Sequence, residues 1–200
     1  ENGRIEIGGV DIADISSDWL RRNIGMVLQE PFLFSRTLEE NIAIASGQEP
    51  EDGKDGEHSR LARVRSAARI ARLDETITHF AKGYDTFVGE RGVTLSGGQK
   101  QRTAIAQMLI RKPPVMVFDD SLSAVDAETD AEIRRALREN VGSATVILIA
   151  HRLTTLMHAD QILVMDQGRL VQRGTHEELL AQDGIYRQIY DLQVRQSGSR

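Results

Sequence analysis

From Pro113 onward the chain alternates short, unbroken apolar runs with amphipathic stretches, and this rhythm limits the fold more than any other feature. Val115-Met116-Val117-Phe118 and Val146-Ile147-Leu148-Ile149-Ala150 are apolar at every position, so each predicts a strand covered on both faces. Between them, Ile133, Ala136, Leu137 and Val141 fall on one face of a helix predicted over 127–139. Two further strands are predicted at 161–165 and 169–172, with helices near 176–181 and 184–194. Apolar strands alternating with helices mean an α/β core around a parallel sheet.

The upstream part is organised differently. Arg4–Ile7 and Val10–Ile12 alternate about Gly8-Gly9, which predicts an antiparallel β-hairpin. Ile24–Leu28 reads as a short buried strand ending at Gln29. Thr37, with Glu40 three residues on, is a capping box that opens a helix. Residues 46–58 are polar and predict a surface loop, and 59–81 read as helices. Another helix begins at Ser96, with Ala104, Ile105, Met108 and Leu109 on its apolar stripe. The expected organisation is therefore a core part over 1–30, a helical subdomain over 31–112, a second core part over 113–183, and a C-terminal helix and tail over 184–200.

Composition narrows the function classes. The net charge is −5, with 21 Arg and 4 Lys interleaved among acids, so no basic footprint for nucleic acid is present. There is no cysteine, which removes thiol-based metal sites and disulfides. The apolar runs are far too short to cross a bilayer.

Two constellations carry chemistry. In Leu95-Ser96-Gly97-Gly98-Gln99, Ser96 and Gln99 form a second capping box. Gly97-Gly98 strip side chains from the first turn, leaving bare N–H groups at the positive end of the helix dipole, where a phosphate is favoured. Asp119 and Asp120 then end the strand 115–118, at the strand end where ligands bind in open α/β sheets. A carboxylate there suits Mg²⁺, which takes few protein ligands. A solvated strand end would explain one Asp, not two ahead of Ser121-Leu122-Ser123-Ala124-Val125-Asp126. His151 ends the neighbouring apolar strand and Gln29 ends another; alone, each reads as structural.

Taken together, these residues closely resemble the nucleotide-binding domain of ATP-binding cassette (ABC) transporters. Leu95 to Gln99 match the LSGGQ signature without a change, and Val115 to Asp119 match the Walker B strand. Gln29 resembles the Q-loop glutamine, Ser123 to Asp126 the D-loop, and His151 the switch histidine. Val88-Gly89-Glu90-Arg91-Gly92, Thr37–Ile42 and Gly174–Leu179 resemble exporter segments. The resemblance implies a P-loop NTPase-type fold, with a parallel sheet core covered by helices, an N-terminal hairpin and an inserted helical subdomain. It implies ATP and Mg²⁺ as ligands. Asp120, His151 and Gln29 would act in hydrolysis, Asp119 and Gln29 at the metal, and Ser96, Gly97, Gly98, Gln99 and Asp126 at the nucleotide. It also implies a membrane protein whose ATPase domain lies on the cytoplasmic side. Transmembrane domains of the same polypeptide would be touched through the Gln29 and Val88–Gly92 regions and would carry a small-molecule or peptide substrate. A second ABC subunit would complete the sites.

Two departures from the family pattern stand out. No G-x-x-x-x-G-K-[ST] occurs, so the loop that cradles phosphates is missing, and the chain reads as a fragment of a longer polypeptide. Asp120 stands where active members carry Glu. The two acids have nearly the same reference pKa, so the difference is reach. A withdrawal of ~1 Å can cost about a hundredfold in rate. Members with Asp here resemble the degenerate-site half of heterodimeric exporters, which makes a non-identical partner the expectation. The alternatives are a non-transport ABC head acting in DNA maintenance, although no sustained heptads are present, and a regulatory, non-hydrolysing subunit.

Overall fold

In the computed structural model the described residues are 3–46, 53–89, 92–122 and 124–197. Residues 47–52 of the expected loop, Glu90 and Arg91 of the Val88–Gly92 segment, and Ser123 lie outside them. The chain divides into two compact units, Glu1–Ile149 and Ala150–Arg200.

The first unit opens with the antiparallel pair β1 (Glu6–Ile7) and β2 (Val10–Asp11). Gly8 and Gly9 turn at φ 58° and 81°, a region glycine enters without a Cβ clash. Helix α1 (Ser17–Asn23), capped by Ser16, leads into β3 (Ile24–Val27). The helical part follows as α2 (Leu38–Ala43), α3 (Gly53–Ile70), α4 (Asp74–Thr78) and α5 (Gly97–Leu109). Strand β4 (Val115–Asp119), helix α6 (Ala127–Asn140) and strand β5 (Thr145–Ile149) complete the unit.

The sheet is parallel, in the order β3-β4-β5, with Val27 opposite Phe118 and Phe118 opposite Leu148. Val27, Met116 and Phe118 are buried in one cluster with Ile105 of α5 and Ile133 and Leu137 of α6. Each such side chain contributes about 1.5–3 kcal/mol by leaving water. Helix α5 comes so close to β3 that a Cβ on Gly25 would sit 2.5 Å from Met108 Cγ and 2.7 Å from Pro113 Cγ. Val141 packs at the margin of the same core.

Three expectations need correction. The polar loop expected over 46–58 is helical from Gly53, because α3 extends toward its N-terminus from the packed turns around Val64 and Ala68. Once nucleated, each added residue gains a backbone hydrogen bond whatever its polarity. Among the described residues of the first unit, the buried core lies on one face of the sheet, and on the other Met26, Ile147 and Ile149 are 56%, 47% and 50% exposed.

The third correction concerns 161–172, which does not extend the parallel sheet. In the second unit, β6 (Ile162–Asp166) and β7 (Arg169–Gly174) pair antiparallel. Gln167 and Gly168 join them at φ 45° and 76°, a two-residue turn too short for a parallel crossover. Helices α7 (Leu153–Leu156), α8 (His176–Leu180) and α9 (Ile185–Ser197) accompany this hairpin. Leu153, Ile162, Val164, Leu179 and Tyr186 form a small core of their own. Among the described residues, no helix is long and apolar enough to cross a membrane.

Candidate functional site

The start of α5 is built as its sequence suggests. Ser96 Oγ accepts from the Gln99 N–H at 3.2 Å, and Gln99 Oε1 accepts from the Ser96 N–H at 2.9 Å. The two glycines behind this cap are not equivalent. A Cβ on Gly98 would lie 3.1 Å from the Ala124 carbonyl oxygen, a tight contact within the chain. A Cβ on Gly97 would meet only Ala124 Cβ, at an ordinary 3.6 Å. Gly97 is exposed, and nothing in the fold forbids a side chain there. Its bare N–H at the positive end of a 13-residue helix is suited to an anion.

Asp119 and Asp120 leave β4 half-buried at the carboxyl edge of the sheet. Gln29 leaves the same edge from β3, two residues beyond Val27, as Asp120 is two beyond its registered partner Phe118. Asp120 has φ 45° and donates its N–H to the Ile149 carbonyl at 2.9 Å. That left-handed backbone is one that Asp and Asn adopt more readily than longer side chains. Among the described residues, no three His, Asp or Glu side chains converge as a metal cage. Mg²⁺ needs no such cage, because it binds through one or two carboxylates, waters and phosphate oxygens. The half-buried Asp119 carboxylate, with the Gln29 amide oxygen at the adjoining strand end, is a hard-oxygen donor set that fits this ion.

Asp126 is the N-cap of α6, its carboxylate accepting from the Thr129 N–H at 2.8 Å. That backbone hydrogen bond, with the Thr129 hydroxyl and the Arg102 charge adding to it, holds the carboxyl below the usual range. Arg102 lies across the α5 surface, donating to the Arg72 carbonyl and, at 3.4 Å, to the Gly98 carbonyl. Burial pulls its guanidinium below the ordinary arginine value.

His151 belongs to the second unit and is exposed. Its carbonyl accepts from Gln193 Nε2 at 2.7 Å, and Gln193 Oε1 accepts from the Leu153 N–H at 3.0 Å. In the first unit, Val88 is in the core, not on the surface, and donates its N–H to the Arg36 carbonyl at 2.9 Å. Gly89, at φ 111°, lets this turn press on Ser35, whose Oγ would stand 2.6 Å from a Cβ there. The segment after Gln29 and the turn before α5 thus form one surface, on which Phe32, Phe34, Phe87 and Val93 are exposed.

Two polar residues that organise the site escaped the sequence reading. Asn41 of α2 is wholly buried; it accepts from the Phe34 N–H at 2.9 Å and donates to the Phe34 and Thr37 carbonyls at 3.0 and 2.9 Å. Gln101 of α5 is 3% exposed, donates to the Gln29 carbonyl and accepts from the Ala124 N–H, both at 3.2 Å. The signal was present: Asn41 follows Leu38 by three residues, and Gln101 precedes Ile105 and Met108 by four and seven, so each interrupts an apolar helical stripe.

Residues 1–123 match the family described as ABC transporter. The uncharacterized ABC transporter ATP-binding protein YfiB of Bacillus subtilis is 44% identical over 199 residues, covering 100% of this chain and 33% of that protein. The ATM1-type heavy metal exporter of Novosphingobium aromaticivorans is 43% identical over 195 residues, covering 98% of this chain and 30% of that protein. A solved structure of a bacterial Atm1-family ABC exporter with ATP bound superposes with a TM-score of 0.86 at 42% identity, covering 96% of this chain and 32% of that one. The chain thus spans about a third of the length of the curated relatives it matches.

Proposed function

The chain belongs to the ABC transporter family, and from that premise we propose that it is the ATP-hydrolysing domain of an exporter. The observation that carries this reading is the contrast at the start of α5: Gly98 lies close against the Ala124 carbonyl of its own chain, whereas Gly97 is bare and open without an internal reason. A helix start kept clear in this way is suited to the γ-phosphate of an ATP held by a second subunit.

Within the reading, residues 1–30 and 113–183 are the core, 31–112 the helical subdomain and 184–200 the C-terminal extension. The polypeptide is longer than these 200 residues and supplies membrane helices and a phosphate-cradling loop; the one-third coverage of the relatives and the uncovered sheet face around Met26, Ile147 and Ile149 support this. Phe32, Phe34, Phe87 and Val93 form the surface offered to the membrane domains, on the cytoplasmic side. Those domains select the small-molecule or peptide substrate.

Asp119, with Gln29, would hold Mg²⁺, which when bound neutralises charge on the β- and γ-phosphates. His151 hydrogen-bonds the γ-phosphate or the attacking water, a positioning role. Asp126 stands in the nucleotide-facing loop chiefly as the cap of α6. Asp120 orients water poorly, because its carboxylate falls short by ~1 Å. This subunit therefore pairs with a different one, whose competent site is completed by the Ser96–Gln99 signature of this chain.

The test is ATP hydrolysis by the full-length protein in liposomes. Gly97→Asp, which adds bulk and negative charge facing the phosphate, should abolish turnover while leaving the melting temperature unchanged. Full turnover in that variant would remove α5 from the reaction and overturn the reading.

A further inference from the structure

Gln101 sits where a helix normally presents an apolar side chain, one turn before Ile105 and two before Met108, both of which are in the core. A carboxamide at 3% exposure is tolerated only if its donor and acceptor are both used. Here Nε2 donates to the carbonyl of Gln29, and Oε1 accepts from the N–H of Ala124, each at 3.2 Å. The two partners have opposite polarity, so only one orientation of the amide satisfies both. They belong to segments leaving neighbouring strands, Gln29 after β3 and Ala124 after β4. The β3–β4 register stops at Phe118 on that side, so no strand pairing joins the two segments to each other, while Leu122 and Val125 on either side of Ala124 lie in the core. From the same helix, Gly98 abuts the Ala124 carbonyl.

We propose that Gln101 is a positioning residue: its carboxamide fixes the Gln29 segment, the Ala124 loop and the start of α5 as one body, so that a displacement of the Gln29 segment is passed to the Ala124 loop and to the signature. The chemistry is that of a two-way backbone clamp. Glu at this position keeps the acceptor and loses the donor. Met keeps the length and loses both. Asn is a methylene too short to span the two groups.

This inference rests on the ATPase reading above, and its test separates the two. In the full-length protein, hydrogen exchange at the Ala124 amide and ATP turnover per bound ATP are measured for wild type, Gln101→Met and Gln101→Glu. Gln101→Met should exchange Ala124 about tenfold faster and lose about tenfold in kcat at unchanged KM, the scale of a buried polar group left without its partner. Gln101→Glu should keep Ala124 protected, because the acceptor remains, yet lose kcat similarly, because the Gln29 carbonyl is released. Unchanged exchange in Gln101→Met, or unchanged kcat in Gln101→Glu, overturns the proposal. If Gln101→Met fails to fold, Gln101→Glu decides alone by its protected Ala124 and lowered kcat. A wild type without ATP turnover would fail the ATPase reading, while exchange at Ala124 would still test the clamp.

Discussion

The loop at Ala124–Asp126 and the segment at His151–Leu153 are both held by a glutamine on a helix, but to different depths. In the first unit, Gln101 is buried, Gly98 presses on the Ala124 carbonyl, and Asp126 caps α6, so the loop is fixed at three points. In the second unit, Gln193 of α9 makes the same two-way contact, to the His151 carbonyl and the Leu153 N–H, but is only half-buried, and the His151 side chain projects from an exposed stretch. A clamp deep in a core resists loss of either hydrogen bond, because no water replaces it. A clamp near the surface can exchange its partner for water. The first unit thus buries its clamp in the core, and the second leaves its histidine side chain exposed to solvent.

The largest effect that would break this contrast lies with the two glutamines. Gln193→Met should lower ATP turnover by about two- to threefold, against about tenfold for Gln101→Met, because water can satisfy the released groups in the second unit. Equal losses in steady-state assays would mean that depth is irrelevant.

A smaller effect sharpens the difference between the glycines. Gly98→Ala forces a Cβ to within 3.1 Å of the Ala124 carbonyl oxygen and should lower the melting temperature by about 2–4 °C, the range that ~1 kcal/mol produces in a chain of this size. Gly97→Ala should leave it within a degree, if not raise it, since alanine is the better helix former. Calorimetry that follows this domain's own unfolding transition in the full-length proteins distinguishes them, and matching shifts would erase the asymmetry between the two positions.

Smaller still is the expected effect at Asp120. Asp120→Asn should change overall turnover by less than about twofold, because a carboxylate short by ~1 Å contributes little to orienting water. With the partner's competent site silenced, Asp120→Glu should raise the residual rate, although its left-handed backbone at φ 45° is less comfortable for Glu. A large fall with Asp120→Asn would make the two sites equivalent.

The smallest effect is on pH. The Asp126 carboxyl is lowered by the Thr129 N–H bond, so the folded state binds its proton less tightly than the unfolded chain does. The stability it gives is present above the unfolded pKa and is lost as pH falls through the folded one. Asp126→Asn keeps a good N-cap and should flatten this acid-side decline in thermal melts. An unchanged slope would show that the cap is not titrating.

Much of this fold is legible in the residue order because local chemistry decides it. The capping boxes expected at Thr37 and Ser96 form with both of their hydrogen bonds, since the reciprocal side chains lie three residues apart, and Thr175 with Glu178 adds a third. The apolar face of α6 is read correctly through Ile133 and Leu137. What stayed hidden depends on distant partners. Gln101 reveals a polar residue in an apolar stripe, but its bond to Gln29 spans 72 residues and cannot be read from spacing. The left-handed turn at Asp120 follows from the Ile149 carbonyl it meets, on another strand. Residues 161–172 were apolar enough for either pairing, and only the Gln167-Gly168 turn selects the hairpin.

The uncovered sheet face has a consequence for how such a domain must be made. Thr145–Ile149 is a strand of five residues without charge, glycine or proline, and among the described residues it is an end strand of its sheet. Its Val146, Ile147 and Ile149 side chains stand open to solvent. A segment of this composition at a sheet edge is a template on which another chain can add a strand. Produced by itself, this stretch of polypeptide would spend its lifetime at risk of stacking into aggregates. Synthesis and burial of that face and edge are therefore best coupled in time, so that both are shielded before a second copy arrives.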